Sequence, residues 1–235
     1  KKIEIYTIKQ ASHINLVSEG FKKYFISYYP LQSFSFYSNG IDSMFENLPA
    51  IQNKNEKIKI LYAGNIGEGQ GLDKIIPDLI LNLPENYHFL IIGNGGKINN
   101  LKDKLLNLDI KNYEIIAPMK QKDLVKKYLE ADILFLHLNK YDAFLKVLPS
   151  KIFEYAATHK PICAGVDGYS RNFLLKNVSN CSVFEPCNVK EARKCILNMD
   201  LKVKKRTDFI EKFRRNRIST LIAKDILEKY ERNLS

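Results

Sequence analysis

From Ile58 onward the chain alternates short apolar runs of four to six residues with longer stretches whose apolar residues recur three and four apart. No other feature restricts the fold as strongly. A short continuous apolar run suits a strand buried on both faces, and the longer period suits a helix covering it. Five runs are clear: Ile58 to Ala63, His88 to Ile92, Tyr113 to Ile116, Ile133 to Leu136 and Ile162 to Gly165, with Ser182 to Phe184 a weaker sixth. The helical spacing falls on Leu72 to Leu83, Ile98 to Leu108, Lys120 to Glu130 and Ser150 to Thr158. Strand and helix in strict turn predict an α/β domain with a doubly wound parallel sheet, a Rossmann-like half.

The flanks read differently. Residues 1–50 suggest strand His13 to Val17, helix Glu19 to Tyr29 and strand Phe34 to Tyr37, running into the turn Asn39-Gly40, with the polar run Gln52 to Lys57 as boundary. Residues 201–235 read as helical, with a cation-rich stretch Lys202 to Arg217 and then helical spacing over Ile218 to Tyr230. The opening Lys1-Lys2 lacks the pattern of a signal peptide and reads as the interior of a longer chain. With 45% apolar and 27% charged residues in 235, disorder, collagen-like sequence and coiled coil are excluded as whole-chain readings. The apolar runs fall far short of the roughly 18 residues of a membrane-spanning helix. Four cysteines at irregular intervals, without a Cys-x-x-Cys pair, suggest neither zinc nor a redox dithiol, but free thiols in a reducing cytoplasm. The 37 Lys and Arg against 26 Asp and Glu leave a net charge of +11, which fits nucleic acid, an anionic membrane face or a phosphorylated small molecule alike.

Ligands of open α/β sheets bind beyond the carboxyl ends of the strands, so those loops hold the chemistry. After the first run comes Gly64-Asn65-Ile66-Gly67-Glu68-Gly69-Gln70-Gly71, where four glycines let backbone pass close to a ligand. It is not a P-loop, because no Gly-Lys-Ser/Thr follows. Gly93-Asn94-Gly95-Gly96 after the second run is either a partial dinucleotide fingerprint or a tight turn. In Phe144 to Ile162, Pro149 and Ser150 mark a helix start bracketed by Lys146 and Lys151, with Glu154 one turn on. A diphosphate followed by a ribose fits that spacing; so does an exposed Lys151–Glu154 pair on an ordinary helix over a core of Ile152 and Phe153. His137, ending an apolar run, either faces a ligand or is a satisfied strand-end histidine.

Five segments in order resemble the C-terminal domain of retaining GT-B glycosyltransferases of family 4: Asn39-Gly40-Ile41-Asp42, Ile60 to Gly64, Ile91 to Gly95, Tyr128 to Asp132 as Tyr-x-x-Ala-Asp, and Pro149 to Pro161. The resemblance covers nearly the whole chain and implies three parts. Residues 1–50 are the end of an N-terminal domain plus linker, 51–200 the nucleotide-sugar-binding domain, and 201–235 helices packing back across the linker. It further implies binding of a UDP- or GDP-sugar and retaining transfer to a saccharide or lipid-linked acceptor, with no metal or other cofactor required and the acceptor site on a larger N-terminal domain. The wording of Lys146 to Glu154 is similar to transferases of surface-polysaccharide synthesis that handle aminosugars such as fucosamine. Donor contacts are implied for Gly64, Asn65, Gly67, Gln70, Gly93, Asn94 and Gly95, for Pro118, Met119 and Lys120 beside the base, and for Leu148, Pro149, Ser150, Lys151 and Glu154, the last at the ribose. Lys146, Lys151 and Glu154 are the candidates for catalysis.

The sequence departs from the family pattern in two places. The usual Glu-x7-Glu would put carboxylates at 146 and 154, and the first is Lys146; the usual Arg and Lys of the first glycine-rich loop are Asn65 and Gln70. Lys146 and Lys151 are therefore expected to supply the displaced charge. A GT-B nucleotide-sugar epimerase and a non-catalytic nucleotide- or nucleic-acid-binding module are the rivals. The first lacks acid/base groups here, and the second wants exposed aromatics among its cations. The Lys202 to Arg217 run, with Val203, Phe209 and Phe213, reads either as a solvated face or as an amphipathic helix on an anionic membrane.

Overall fold

The computed structural model describes residues 2–54 and 56–234. After helix α1 (Lys2–Gln10), strand β1 (His13–Leu16), helix α2 (Lys22–Tyr28) and strand β2 (Ser33–Phe36) come β3 (Ile58–Asn65), α3 (Ile76–Leu81), β4 (Tyr87–Asn94), α4 (Ile98–Asn107), β5 (Tyr113–Ile116) and α5 (Gln121–Glu130). Then follow β6 (Ile133–His137), α6 (Lys151–Ala157), β7 (Ile162–Gly165), α7 (Gly168–Asn177), β8 (Cys181–Phe184), α8 (Val189–Leu197), α9 (Thr207–Phe213) and α10 (Arg215–Leu234). The last six strands form one parallel sheet in the order β5-β4-β3-β6-β7-β8. Strand order reverses between β3 and β6, so the crevice of this α/β sheet opens at their carboxyl ends.

Alternation along the buried strands feeds two cores. Ile60 and Tyr62 of β3 face Leu79, Leu101 and Ile196 of α3, α4 and α8. Leu61 and Ala63 face the opposite layer of Tyr128, Phe153, Phe173 and Phe209 from α5, α6, α7 and α9. Both layers must be apolar, hence the unbroken apolar runs.

Several boundaries differ from the periodicity. Strands β3 and β4 run on through Gly64-Asn65 and Gly93-Asn94, which pair in register as Gly64↔Gly93 and Asn65↔Asn94. These four residues are strand ends rather than loop. The expected helix over 72–83 is a 3-10 turn at Leu72–Lys74 followed by α3, because Pro77 lacks an N–H and is tolerated only in a helix's first turn. The expected helix over 19–29 likewise opens as a 3-10 turn capped by Ser18, whose hydroxyl accepts from Gly20 N at 3.2 Å. Helices α1, α7 and α8 lie outside the expected set.

The N-terminal segment forms its own two-stranded parallel sheet, β1 against β2. Ser18 Oγ donates to the Lys146 carbonyl at 2.6 Å. Ile41 is clamped where α9 ends: Ile41 N donates to Phe213 O at 2.7 Å and Arg215 N donates to Ile41 O at 2.9 Å. Phe209 and Phe213 turn inward, stacking with or edging Phe153 and Phe173. The cation-rich stretch is thus no single amphipathic helix: it breaks at Arg214 and turns its aromatics toward α6 and α7.

Arg206 is buried with no carboxylate beside it. Its guanidinium instead donates to the carbonyls of Ala156 at 3.2 Å, Lys160 at 2.9 Å and Ser179 at 2.6 Å, tying the ends of α6 and α7 together. Burial lowers its pKa to about 10, so it stays charged at neutral pH. Arg206→Ala is expected to cost about 3 kcal/mol in urea unfolding, since it strands the buried Lys160 carbonyl and removes donors from those of Ala156 and Ser179. Arg206→Lys should recover only part of that, having no fork to span them.

Candidate functional site

The loop between β3 and α3 is held by side chains aimed at its carbonyls. From the end of β6, Asn139 donates its side-chain amide to Glu68 O at 2.9 Å and its backbone N–H to Gly69 O at 2.8 Å. His137 Nδ1 takes the next carbonyl, Gln70 O, at 2.6 Å, while His137 Nε2 accepts from Cys187 N at 2.9 Å. Only the Nδ1–H tautomer satisfies both bonds. The ring is fully buried between Phe135 and Phe184. His137 is thus the satisfied strand-end histidine, not a group facing a ligand.

On its other side the loop meets the turn after β4. A β-carbon added to Gly93 would lie 1.9 Å from Gly64 O, and one on Gly95 would lie 2.6 Å from Ile66 O. With φ of +151° and +157° as well, only glycine serves at 93 and 95. The room these glycines make is occupied by the first glycine-rich loop itself. A dinucleotide fingerprint is not needed to explain them.

Where the family's two cations would sit, Asn65 Nδ2 donates to Gln70 Oε1 at 2.9 Å, a neutral pair across the loop. The loop's charge is Glu68, whose carboxylate accepts from the Tyr141 hydroxyl at 2.5 Å and meets Lys97 at 2.9 Å and Lys74 at 3.3 Å. These donors, Tyr141 first, pull the Glu68 carboxyl down to about 2. The cluster was not foreseen, because its members come from three different loops. Gly67 is buried beside the Asn65 amide.

Helix α6 has only seven residues, so its dipole is that of about two turns. Ser150 precedes it, exposed and with no side-chain cap. Lys151 Nζ pairs with Glu154 Oε2 at 2.8 Å, as the i,i+3 reading has it, but the pair is only 23% and 20% exposed. A third member joins them: Tyr128 donates its hydroxyl to the same Glu154 Oε2 at 3.1 Å and accepts from Lys151 at 3.1 Å. Glu154 Oε1 has no protein partner among the described residues. The helix is seated by Ile152 and Phe153 and by Tyr155, whose hydroxyl accepts from Ala63 N at 3.0 Å.

Tyr128 is the site residue that sequence reasoning missed, although Tyr-x-x-Ala-Asp carried it. The motif's Asp132 has a structural task, accepting from Lys59 N at 2.9 Å where β6 starts beside β3. Lys146 ends a 3-10 turn before α6 and has no ion pair or hydrogen bond to its ammonium among the described residues, while Leu148 is buried and Pro149 half-buried. Pro118 and Lys120 are exposed beyond the end of β5, with Met119 packed on the α5–α6 core. All these residues share the carboxyl edge of the sheet. Among the described residues, no three His, Cys, Asp or Glu side chains converge as metal ligands.

The all-parallel sheet with its reversal between β3 and β6 is a Rossmann-like, doubly wound domain, the fold of the GT-B glycosyltransferases it superposes on. The chain belongs to the family of glycosyl transferases group 1, whose model matches residues 44–216. WcaI of Escherichia coli (strain K12), named for a glycosyl transferase role in colanic acid biosynthesis, is 35% identical over 98 residues, covering 42% of this chain and 24% of WcaI. Among solved structures, Alr3699/HepE of Anabaena in complex with UDP and glucose superposes with a TM-score of 0.73 at 14% identity, over 92% of this chain and 63% of that one. The pneumococcal O-GlcNAc transferase GtfA, with UDP and GlcNAc, gives 0.76 at 12% identity, over 97% and 47%. The chain thus spans less than two thirds of each of these three proteins.

The buried His137 ties stability to pH. Desolvation lowers its pKa from 6.5 to about 4, so the folded state refuses a proton that the unfolded state accepts. Its contribution is complete above about pH 6.5 and declines as pH falls toward 4. The unfolding free energy should drop by about 3 kcal/mol across that window. His137→Gln should be less stable at pH 7 and have a flatter profile in the same window; an unchanged slope would show that His137 is not the titrating group.

Proposed function

We propose that this chain is the donor-binding part of a glycosyltransferase that takes a nucleoside-diphosphate sugar and transfers the sugar with retention. The observation that carries the reading is the division of labour at Glu154: Lys151 and Tyr128 fix Oε2, and Oε1 is left to accept from hydroxyls such as a ribose diol. Pro118, Met119 and Lys120 flank the base. The strand ends and turns at Gly64 to Gln70 and Gly93 to Gly95 border the diphosphate. Lys146, whose ammonium has no partner among the described residues, supplies counter-charge to the leaving diphosphate, and Lys151 cancels the charge of Glu154 beside it. In such a scheme the departing diphosphate takes the acceptor's proton on the same face of the sugar, and no side-chain nucleophile is involved.

Family membership and UDP-bound neighbours of the same fold support a nucleotide-sugar ligand, with uracil favoured over guanine as the base. The similarity to WcaI, named for colanic acid biosynthesis, supports a place in surface-polysaccharide synthesis. The acceptor in this reading is a saccharide or a lipid-linked one, and an aminosugar of the fucosamine kind as donor sugar rests on the wording of Lys146 to Glu154 alone.

Calorimetric titration with UDP, GDP and NAD tests this. One nucleoside diphosphate should bind saturably and NAD should not. Glu154→Ala should weaken binding about tenfold or more, the loss of hydrogen bonds to a charged acceptor. Lys146→Ala should weaken the nucleoside diphosphate but spare the free nucleoside. Silence toward all nucleotides, with salt-sensitive binding of a short DNA duplex, would overturn the reading.

A further inference from the structure

A hollow of about 350 Å³ lies in the angle between the N-terminal segment and helices α7 and α9. That is within the size range of small-ligand sites, roughly 300–1,000 Å³. Its apolar lining comes from three parts of the fold: Val17 and Phe36 from the N-terminal sheet, Leu148 from the segment before α6, and Phe173 and Phe213 from α7 and α9. Two lysines from different helices also line it, Lys176 of α7 and Lys212 of α9. The Lys176 ammonium has no hydrogen bond or ion pair among the described residues. Lys212 reaches only the Asn177 amide oxygen at 3.3 Å and the face of Phe213. The one acid in the lining, Glu19, accepts from the Tyr169 hydroxyl at 3.5 Å.

Two unneutralised cations beside an apolar floor match a ligand with an anionic head and an apolar body. A monoester phosphate, with close to two negative charges at neutral pH, answers two lysines better than a carboxylate does. We propose that this hollow binds a single-chain lipid phosphate, an alkyl or prenyl monophosphate, with the phosphate at Lys176 and Lys212 and the chain on Val17, Phe36, Leu148, Phe173 and Phe213. The site bridges the N-terminal sheet and the helices packed on the linker, so its occupant ties together elements otherwise joined by few bonds. It shares only Leu148 with the implied donor contacts, and neither of its lysines is among them.

The test is calorimetric titration of the chain with hexyl, octyl and decyl phosphate below their micellar concentrations, beside inorganic phosphate and octyl glucoside. The alkyl phosphates should bind one per chain, each methylene tightening binding by up to about fourfold until the hollow is full. Inorganic phosphate should not bind measurably, and octyl glucoside should bind about tenfold more weakly than octyl phosphate. The double variant Lys176→Ala/Lys212→Ala should lose about tenfold or more, and Lys176→Arg/Lys212→Arg should retain most of the affinity. UDP should not compete, and Glu154→Ala should leave alkyl phosphate binding unchanged. Equal binding of octyl phosphate and octyl glucoside, or no loss in the double alanine variant, would overturn the proposal. So would absence of saturable binding, or competition by UDP.

Discussion

The carbonyl of Gly64 lies so close to the α-carbon of Gly93 that no side chain fits between them. Everything at the carboxyl edge of the sheet depends on that contact. It lets β3 and β4 stay paired to their last residues and hands the chain over to two turns that interlock, Ile66 N bonding Asn94 O at 2.8 Å and Lys97 N bonding Ile66 O at 2.9 Å. Two flexible loops become one rigid wall of the crevice. The shape of the crevice here is thereby set by backbone sterics, before any polar side chain is considered.

Buried polar groups hold the same glycine-rich loop from its other side, and another fastens the far edge of the sheet. Asn139 and His137 take three successive carbonyls of the glycine-rich loop, and Arg206 takes those at the ends of α6 and α7. Each is nearly or wholly buried, and each is aimed at backbone rather than at a counter-ion. Such groups contribute modestly when satisfied and cost much when one partner is removed, so they specify a single arrangement more than they add to stability. Burial keeps His137 neutral, which its two bonds require.

The layered architecture was legible in the sequence because burial on both faces leaves a direct imprint: Ile60 to Ala63 and Phe89 to Ile92 have no polar residue to mark an exposed side. The ends of elements were less legible. Gly64-Asn65 and Gly93-Asn94 look like loop, yet they pair as strand because each strand leans on the other's glycine. At the site, Glu154 and the lysines stood out by spacing along one helix. Tyr128 did not, since its meeting with Glu154 joins α5 to α6 across the packed layer, and Glu68 did not, since Tyr141, Lys74 and Lys97 reach it from separate loops. Local patterns reveal elements; contacts between distant segments are settled by packing that no short window contains.

On the donor reading, the ion pair at α6 answers an electrostatic problem. A carboxylate suited to a ribose must sit close to where a diphosphate binds. At an illustrative separation of roughly 6 Å and an effective dielectric constant near 20, each unit of like charge would repel it by about 3 kcal/mol. Lys151, at 2.8 Å from Glu154 Oε2, removes most of that repulsion while leaving Oε1 open. Tyr128 completes the arrangement by holding the shared oxygen without adding charge. Lys151 is then mainly the neutralising partner of the acid, and the free positive charge near the helix falls to Lys146. That is the position where the family pattern has a glutamate, and with Asn65 and Gln70 neutral in the loop, a second acid there would leave this helix end with two carboxylates against Lys151 alone.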